Sequence, residues 1–203
     1  MSTLDPRSIN VVRFVHAAAI VLLVQLLNPI HAFGQRPGSL KENEFDGAWW
    51  LSASSDERIG FLYALDDCLT YDAKPALVFD DTWVNYEKKI TEFYRSPSDR
   101  RATFVQTIFE SFGKSASAHR SMQKSERYGD EFWRSHSELA RRGFLDGYFS
   151  CRSRYENAPE WSKPLAFYLD SLDDMYNVDD RHGENAPEYT GSVASALDKL
   201  RDR

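Results

Sequence analysis

The strongest constraint on the fold of this chain is that much of it is written twice. Laid over itself at an offset of 83 residues, the sequence puts Trp50 on Trp133, Ser52 on Ser135, Ser54 on Ser137, Arg58 on Arg141, Gly60 on Gly143, Phe61 on Phe144, Leu62 on Leu145 and Cys68 on Cys151. Trp49 meets Phe132 and Ala64 meets Gly147 in the same ungapped register. Past the cysteines the match slips to an offset of 82, with Tyr86 on Tyr168, Ile90 on Leu172, Phe93 on Met175 and Tyr94 on Tyr176. It then slips to 88, with Val105 on Val193 and Phe109 on Leu197, the slack being taken up by a longer loop at residues 177–191. A period this long marks a duplicated domain, since solenoid repeats are shorter and come in threes or more. The expected organisation is a leader at 1–34, one helical unit within 35–117, and a linker with a second unit within 118–203.

Each unit reads as helical, and the fold class is all-α, about three main helices per unit packed about a pseudo-twofold. Ser54-Ser55-Asp56-Glu57 has the form of a capping box opening a helix to about Tyr71. Its partner opens near Ser135 or Ser137 and runs to about Tyr155. Trp83, Tyr86, Ile90, Phe93 and Tyr94 recur at helical spacing and predict a helix over about 81–95. A third is expected from Ser98 to Phe112, with counterparts near 162–177 and 190–202. Strand signals are scarce, the best being Ala76 to Phe79.

The first helix of each unit carries a stripe of small residues. Gly60, Ala64 and Cys68 are spaced i, i+4, i+8, as are Gly143, Gly147 and Cys151, so each trio lies along one side of its helix. Glycine inside a helix costs about 1 kcal/mol against alanine. Its use at matched positions points to helix packing at Gly60, Ala64, Gly143 and Gly147, against the other copy or against the tryptophans of the same unit. If the pseudo-twofold axis passes near the helix ends, Cys68 and Cys151 meet and form a disulfide; antiparallel packing would leave two separately buried thiols.

Residues 1–34 differ from the rest. Arg7 and Arg13 precede a 14-residue apolar run, Phe14 to Leu27, followed by Asn28-Pro29 and the small-residue pattern Ala32-Phe33-Gly34. That order is a secretory signal peptide cleaved after Ala32 or Gly34, the run being shorter than the roughly 18–20 residues of a membrane anchor. Export to the periplasm or outside the cell follows, without stable membrane insertion once the signal is removed, and it favours a disulfide. The chain has a formal net charge of −6, which argues against nucleic acid as partner. The basic stretch Lys114 to Arg127, rich in serine and alanine, reads as a solvated linker.

Chemistry-bearing motifs are scarce. No G-x-S-x-G, H-E-x-x-H, C-x-x-C or phosphate-loop pattern occurs, and no catalytic residue, metal ligand or cofactor is assigned. Asp66-Asp67 could form an acid pair, but Phe149-Ser150 stand at the matching positions of the second unit, so it reads as part of a solvated helix face. Asp179, Asp180, His182 and Glu184 fit no calcium-loop spacing and read as an acidic loop. The aromatic residues are more suggestive. Trp49, Trp50 and Trp133, with the neighbouring Asp46 and Asp130, either staple short segments to the repeated helices or form an exposed binding rim for a protein or glycan.

The stretches Gly60–Asp67 and Gly143–Ser150 resemble the Gly-aromatic-aliphatic helix of the Tai-type immunity proteins, small exported helical proteins of bacteria. The resemblance implies a periplasmic inhibitor of a peptidoglycan amidase delivered by type VI secretion. In that family a cysteine commonly precedes the glycine, where Ile59 and Arg142 stand in this chain. The functional expectation is an exported, non-catalytic binding protein with an envelope or cell-wall partner. The alternatives are a hydrolase with a carboxylate site at the interface of the two units, and a structural envelope protein. The sequence assigns no oligomeric state.

Overall fold

Ser54 opens the longest helix of the first half as its spacing predicts. Its backbone N–H donates to Glu57 Oε2 at 2.9 Å, and the Glu57 N–H donates back to Ser54 Oγ at 3.1 Å, so two otherwise unpaired donors at the helix start are satisfied reciprocally. In this computed structural model, which describes residues 45–71, 75–96, 98–115, 127–155, 161–178 and 189–201, that helix is α2. The described elements are α1 (Gly47–Ser52), α2 (Ser55–Tyr71), β1 (Leu77–Val78), α3 (Trp83–Arg95), a 3₁₀ turn (Ser98–Ala102), α4 (Val105–Glu110), β2 (Lys114–Ser115), α5 (Asp130–Ser135), α6 (Glu138–Tyr155), α7 (Leu165–Met175) and α8 (Val193–Arg201). Among the described residues the fold is all-α apart from one antiparallel two-residue pairing, Leu77 with Ser115 and Val78 with Lys114, and one isolated bridge. No helix among the described residues is long and apolar enough to cross a membrane. The predicted signal peptide and the Asp179–Glu184 cluster lie outside the described residues.

Two expectations need correction. The helix predicted from Ser98 to Phe112 is instead a 3₁₀ turn followed by the short α4, interrupted at Thr103 and Phe104. Phe104 bridges Asp46 as an isolated strand pair, and the Val105 N–H donates to the Phe45 carbonyl at 2.9 Å. A backbone pairing with a distant segment has displaced a continuous helix. The start of the stretch read as a linker is not all linker, because Lys114 and Ser115 form β2.

Contacts recur in the two halves at the offsets read from the sequence. The Val193 N–H donates to the Tyr128 carbonyl at 2.7 Å, as Val105 does to Phe45. Tyr94 donates its hydroxyl to the Thr103 carbonyl at 2.7 Å, and Tyr176 to the Gly191 carbonyl at 2.9 Å. The Trp50 indole N–H donates to Thr91 Oγ1 at 2.9 Å, and that of Trp133 to Asp173 Oδ1 at 2.7 Å. Arg58 lies over the Trp50 ring and Arg141 over the Trp133 ring, at 5.7 and 5.9 Å from the ring centres.

The described residues form two apolar cores. Phe45, Trp50, Phe61, Leu62, Leu65, Tyr86, Ile90, Tyr94, Val105 and Phe109 form one, joined by Cys151 from α6. Trp133, Phe144, Leu145, Tyr148, Tyr168, Leu172, Tyr176, Val193 and Leu197 form the other, joined by Ala64 from α2. Between them α2 and α6 run parallel with their main chains in contact. Gly60 sits against the carbonyl of Ala140, and Gly143 against the carbonyl of Glu57. Gly147 faces the Phe61 carbonyl and the Ala64 side chain. One turn further on, Cys68 and Cys151 form a disulfide across a sequence separation of 83.

Candidate functional site

Of the residues read as a binding set, the two aspartates stand at helix starts and the three tryptophans are buried. Asp46 caps α1, its Oδ1 accepting from the N–H groups of Ala48 at 2.8 Å and Trp49 at 3.1 Å. Asp130 sits in the first turn of α5. Trp49 stands edge-on to Phe45 and 4.8 Å from the Phe61 ring. Trp50 and Trp133 are 0% exposed. These rings staple α1 and α5 to α2 and α6, so the expectation of an exposed rim is corrected for Trp50 and Trp133. A wholly buried indole leaves no face for a partner, and its N–H has an internal acceptor in each half.

Those indole acceptors differ in a way that predicts a measurable contrast. Asp173 also holds Arg141 at 3.0 Å, and both side chains are nearly buried. Asp173→Asn keeps an acceptor for Trp133 but leaves the buried guanidinium without that counter-charge, for an expected loss of about 2–3 kcal/mol. Thr91→Val in the other half removes a neutral acceptor from Trp50, for about 1–2 kcal/mol. Urea denaturation of the two variants checks the order.

The strongest polar constellation lies where α2 meets the segment leading into α5. Asp66 and Asp67, expected on a solvated face, are 2% and 4% exposed. Asp66 Oδ2 accepts from Arg127 Nη1 at 2.5 Å and from the Tyr128 hydroxyl at 3.1 Å. The Thr70 hydroxyl lies 3.4 Å from the other carboxyl oxygen. Arg127 is half exposed and closes the Asp66 carboxylate off from solvent. Beside this cluster, Tyr63 packs against Trp83, Tyr128, Phe132 and His136, at ring separations of 5.2 to 5.5 Å. Elements distant in sequence thus converge on one buried acid and one aromatic group.

Burial raises the Asp66 carboxyl above its usual range, and the charge of Arg127 with the Tyr128 and Thr70 hydroxyls offsets only part of that rise. Burial, reinforced by the Asp66 charge, also holds the Tyr128 phenol far above its ordinary value, so it remains a donor. The native state therefore keeps the Asp66 proton to higher pH than the unfolded chain does. Its contribution to stability is fully present below the unfolded value of 3.8 and is lost as pH rises through the native value. Asp66→Asn is expected to match or exceed wild-type stability near pH 7 and to lose that relative standing near pH 4. Melting temperatures of both proteins across that range test this; a constant difference would refute it.

At the matched positions of α6 stand Phe149 and Ser150. There the corresponding junction is a cleft lined by Phe45, Phe104, Gln106, Ser150 and Arg154, with room for about one water (about 10 Å³). The two junctions thus differ in chemistry, one closed by an ion pair and the other holding a water-sized gap. No signal in the sequence joined Asp66 to its partners, which lie 61 and 62 residues away.

Compared with protein-family models, curated proteins and solved structures, the chain matches none.

Proposed function

We propose that this chain is an exported, non-catalytic helical binding protein, built of two duplicated units (within 35–117 and 118–203) packed about a pseudo-twofold axis after loss of a signal peptide at 1–34. Its partner on this reading is a protein of the envelope or cell wall, in keeping with the likeness of Gly60–Asp67 and Gly143–Ser150 to Tai-type immunity proteins. The observation that carries the architecture is reciprocity. Gly60 meets the carbonyl of Ala140 while Gly143 meets that of Glu57, and 60 is to 143 as 57 is to 140. The Cys68–Cys151 disulfide supports an oxidising destination. Binding rather than catalysis is supported by the use of the buried polar side chains as struts: Asp173 holds Trp133 and Arg141, and Asp66 holds Arg127 and Tyr128.

A second reading, a hydrolase with a carboxylate site between the units, has one observation in its favour. Asp66 is a buried carboxyl with a raised pKa, and two of its partners, Arg127 and Tyr128, come from the other half of the chain. One experiment separates the two. The mature chain and its Asp66→Asn variant serve as bait in a periplasmic extract and as catalysts on peptidoglycan. A protein retained by both baits at moderate salt supports the binder. Bond cleavage that is lost with Asp66→Asn supports the hydrolase and overturns the binder.

A further inference from the structure

We propose that the parallel α2–α6 face is an exchangeable interface through which two copies of this chain can pair, and that Asp66, Arg127 and Tyr128 make the pairing selective for unit 1 against unit 2. The inference rests on the two-unit reading. Each half closes its own apolar core, and across the boundary Ala64 and the partly buried Tyr63 of α2 pack into the second core while Cys151 of α6 packs into the first. The halves are joined by a helix pair in main-chain contact, one disulfide, the Asp66 ion pair, the Tyr63 ring cluster and hydrogen bonds from Ser137 to Asp56 and from Tyr155 to Glu110. A face that one chain closes internally is equally complementary to the matching face of a second copy. Internal closure wins when chains are dilute because the tether raises the effective concentration of the partner face; in concentrated refolding chains the second copy competes.

The selectivity follows from what Asp66 would meet. Paired with the second half, its carboxylate has Arg127 at 2.5 Å and the Tyr128 hydroxyl at 3.1 Å. Were α2 to pair with another α2 in the same geometry, the place of Tyr128 would fall to Phe45, the residue that makes the same backbone contact in the first half. Phenylalanine offers no donor, so a buried carboxylate would lose its hydroxyl partner. Leaving a buried acceptor or charge unsatisfied is heavily unfavourable, which is how one interface rejects a near-identical competitor.

The test uses the wild-type mature chain. Equal amounts of unlabelled and ¹⁵N-labelled protein are reduced, unfolded together and refolded in a glutathione buffer at micromolar and at near-millimolar concentration. Disulfide-linked peptides are then read by mass. The expected result is Cys68–Cys151 peptides of mixed label, rising several-fold with concentration, in dimers that survive denaturant without reductant. Cys68–Cys68 and Cys151–Cys151 peptides should stay rare, and Asp66→Phe should raise the Cys68–Cys68 product. Unmixed Cys68–Cys151 peptides at every concentration would overturn the exchange while leaving the two-unit reading intact. Absence of the Cys68–Cys151 pair altogether would overturn both. Like-with-like peptides as abundant as mixed ones in wild type would overturn the selectivity, whether or not Asp66→Phe folds.

Discussion

Gly60→Ala is expected to destabilise the protein by about 3–4 kcal/mol, and Gly143→Ala by a similar amount, at or just above the upper end of what overpacking typically costs. At Gly60 an added Cβ would overlap the Ala140 carbonyl, lying 2.8 Å from its carbon; at Gly143 it would lie 2.7 Å from the Glu57 carbonyl carbon. The obstacle is main chain in both cases, so no side chain can swing aside. Relief requires the two helices to part, and the Cys68–Cys151 bond ties them within two or three turns of the contact. The loss would come in spite of the roughly 1 kcal/mol that alanine gains over glycine inside a helix. Gly147→Ala should fall in between, its Cβ meeting the Phe61 carbonyl oxygen at 2.6 Å. Gly129→Ala should cost little, since nothing lies nearer than 3.4 Å. Urea midpoints for the four variants should follow that order. A Gly60→Ala protein as stable as Gly129→Ala would mean that α2 and α6 do not touch as described.

Loss of the disulfide is the other large effect. Joining residues 83 apart restricts the unfolded chain strongly, and in the chain-entropy account its removal costs about 4.5 kcal/mol. Cys68→Ala, Cys151→Ala and the double variant should therefore lose nearly the same stability, because either single change opens the loop. Both cysteines are wholly buried, so reductant should act slowly on the native protein and quickly in mild denaturant. Thermal melts of the three variants and thiol-labelling time courses measure these outcomes. Additive losses in the double variant would contradict the shared origin.

Both effects were legible in the sequence as the small stripe and its terminal cysteine, because both are expressed as local spacing on a helix. The capping box was legible for the same reason. The direction of the helix pair was not, since parallel and antiparallel arrangements bury the same stripe. The contacts of Gly60 with Ala140 and of Gly143 with Glu57, together with the Cys68–Cys151 bond, decide between them. The candidate polar site was misread for a related reason. Asp66 and Asp67 look solvated because acidic pairs on helices usually are, and the groups that make burial tolerable belong to a segment whose basic residues suggested a linker. Likewise the break between the 3₁₀ turn and α4 depends on Phe45 and Asp46, too far away in the chain to show in any helical periodicity.

The parallel course of α2 and α6 has an electrostatic consequence. Most neighbouring helices in bundles run in opposite directions and cancel one another's peptide dipoles. Here the two add, placing roughly one full elementary charge of positive potential at the Ser54 and Ser137 end and an equal negative one beyond the cysteines. The side chains answer this polarity. Asp56, Glu57 and Glu138 stand in the opening turns, Asp56 also accepting from the Ser137 hydroxyl at 2.5 Å, while Arg152 and Arg154 occupy the closing turn of α6. The shared axis is thus charge-compensated by both helices at its positive pole and by α6 alone at its negative pole, and swapping the opening acids for lysines would set fixed charge against two aligned dipoles at once.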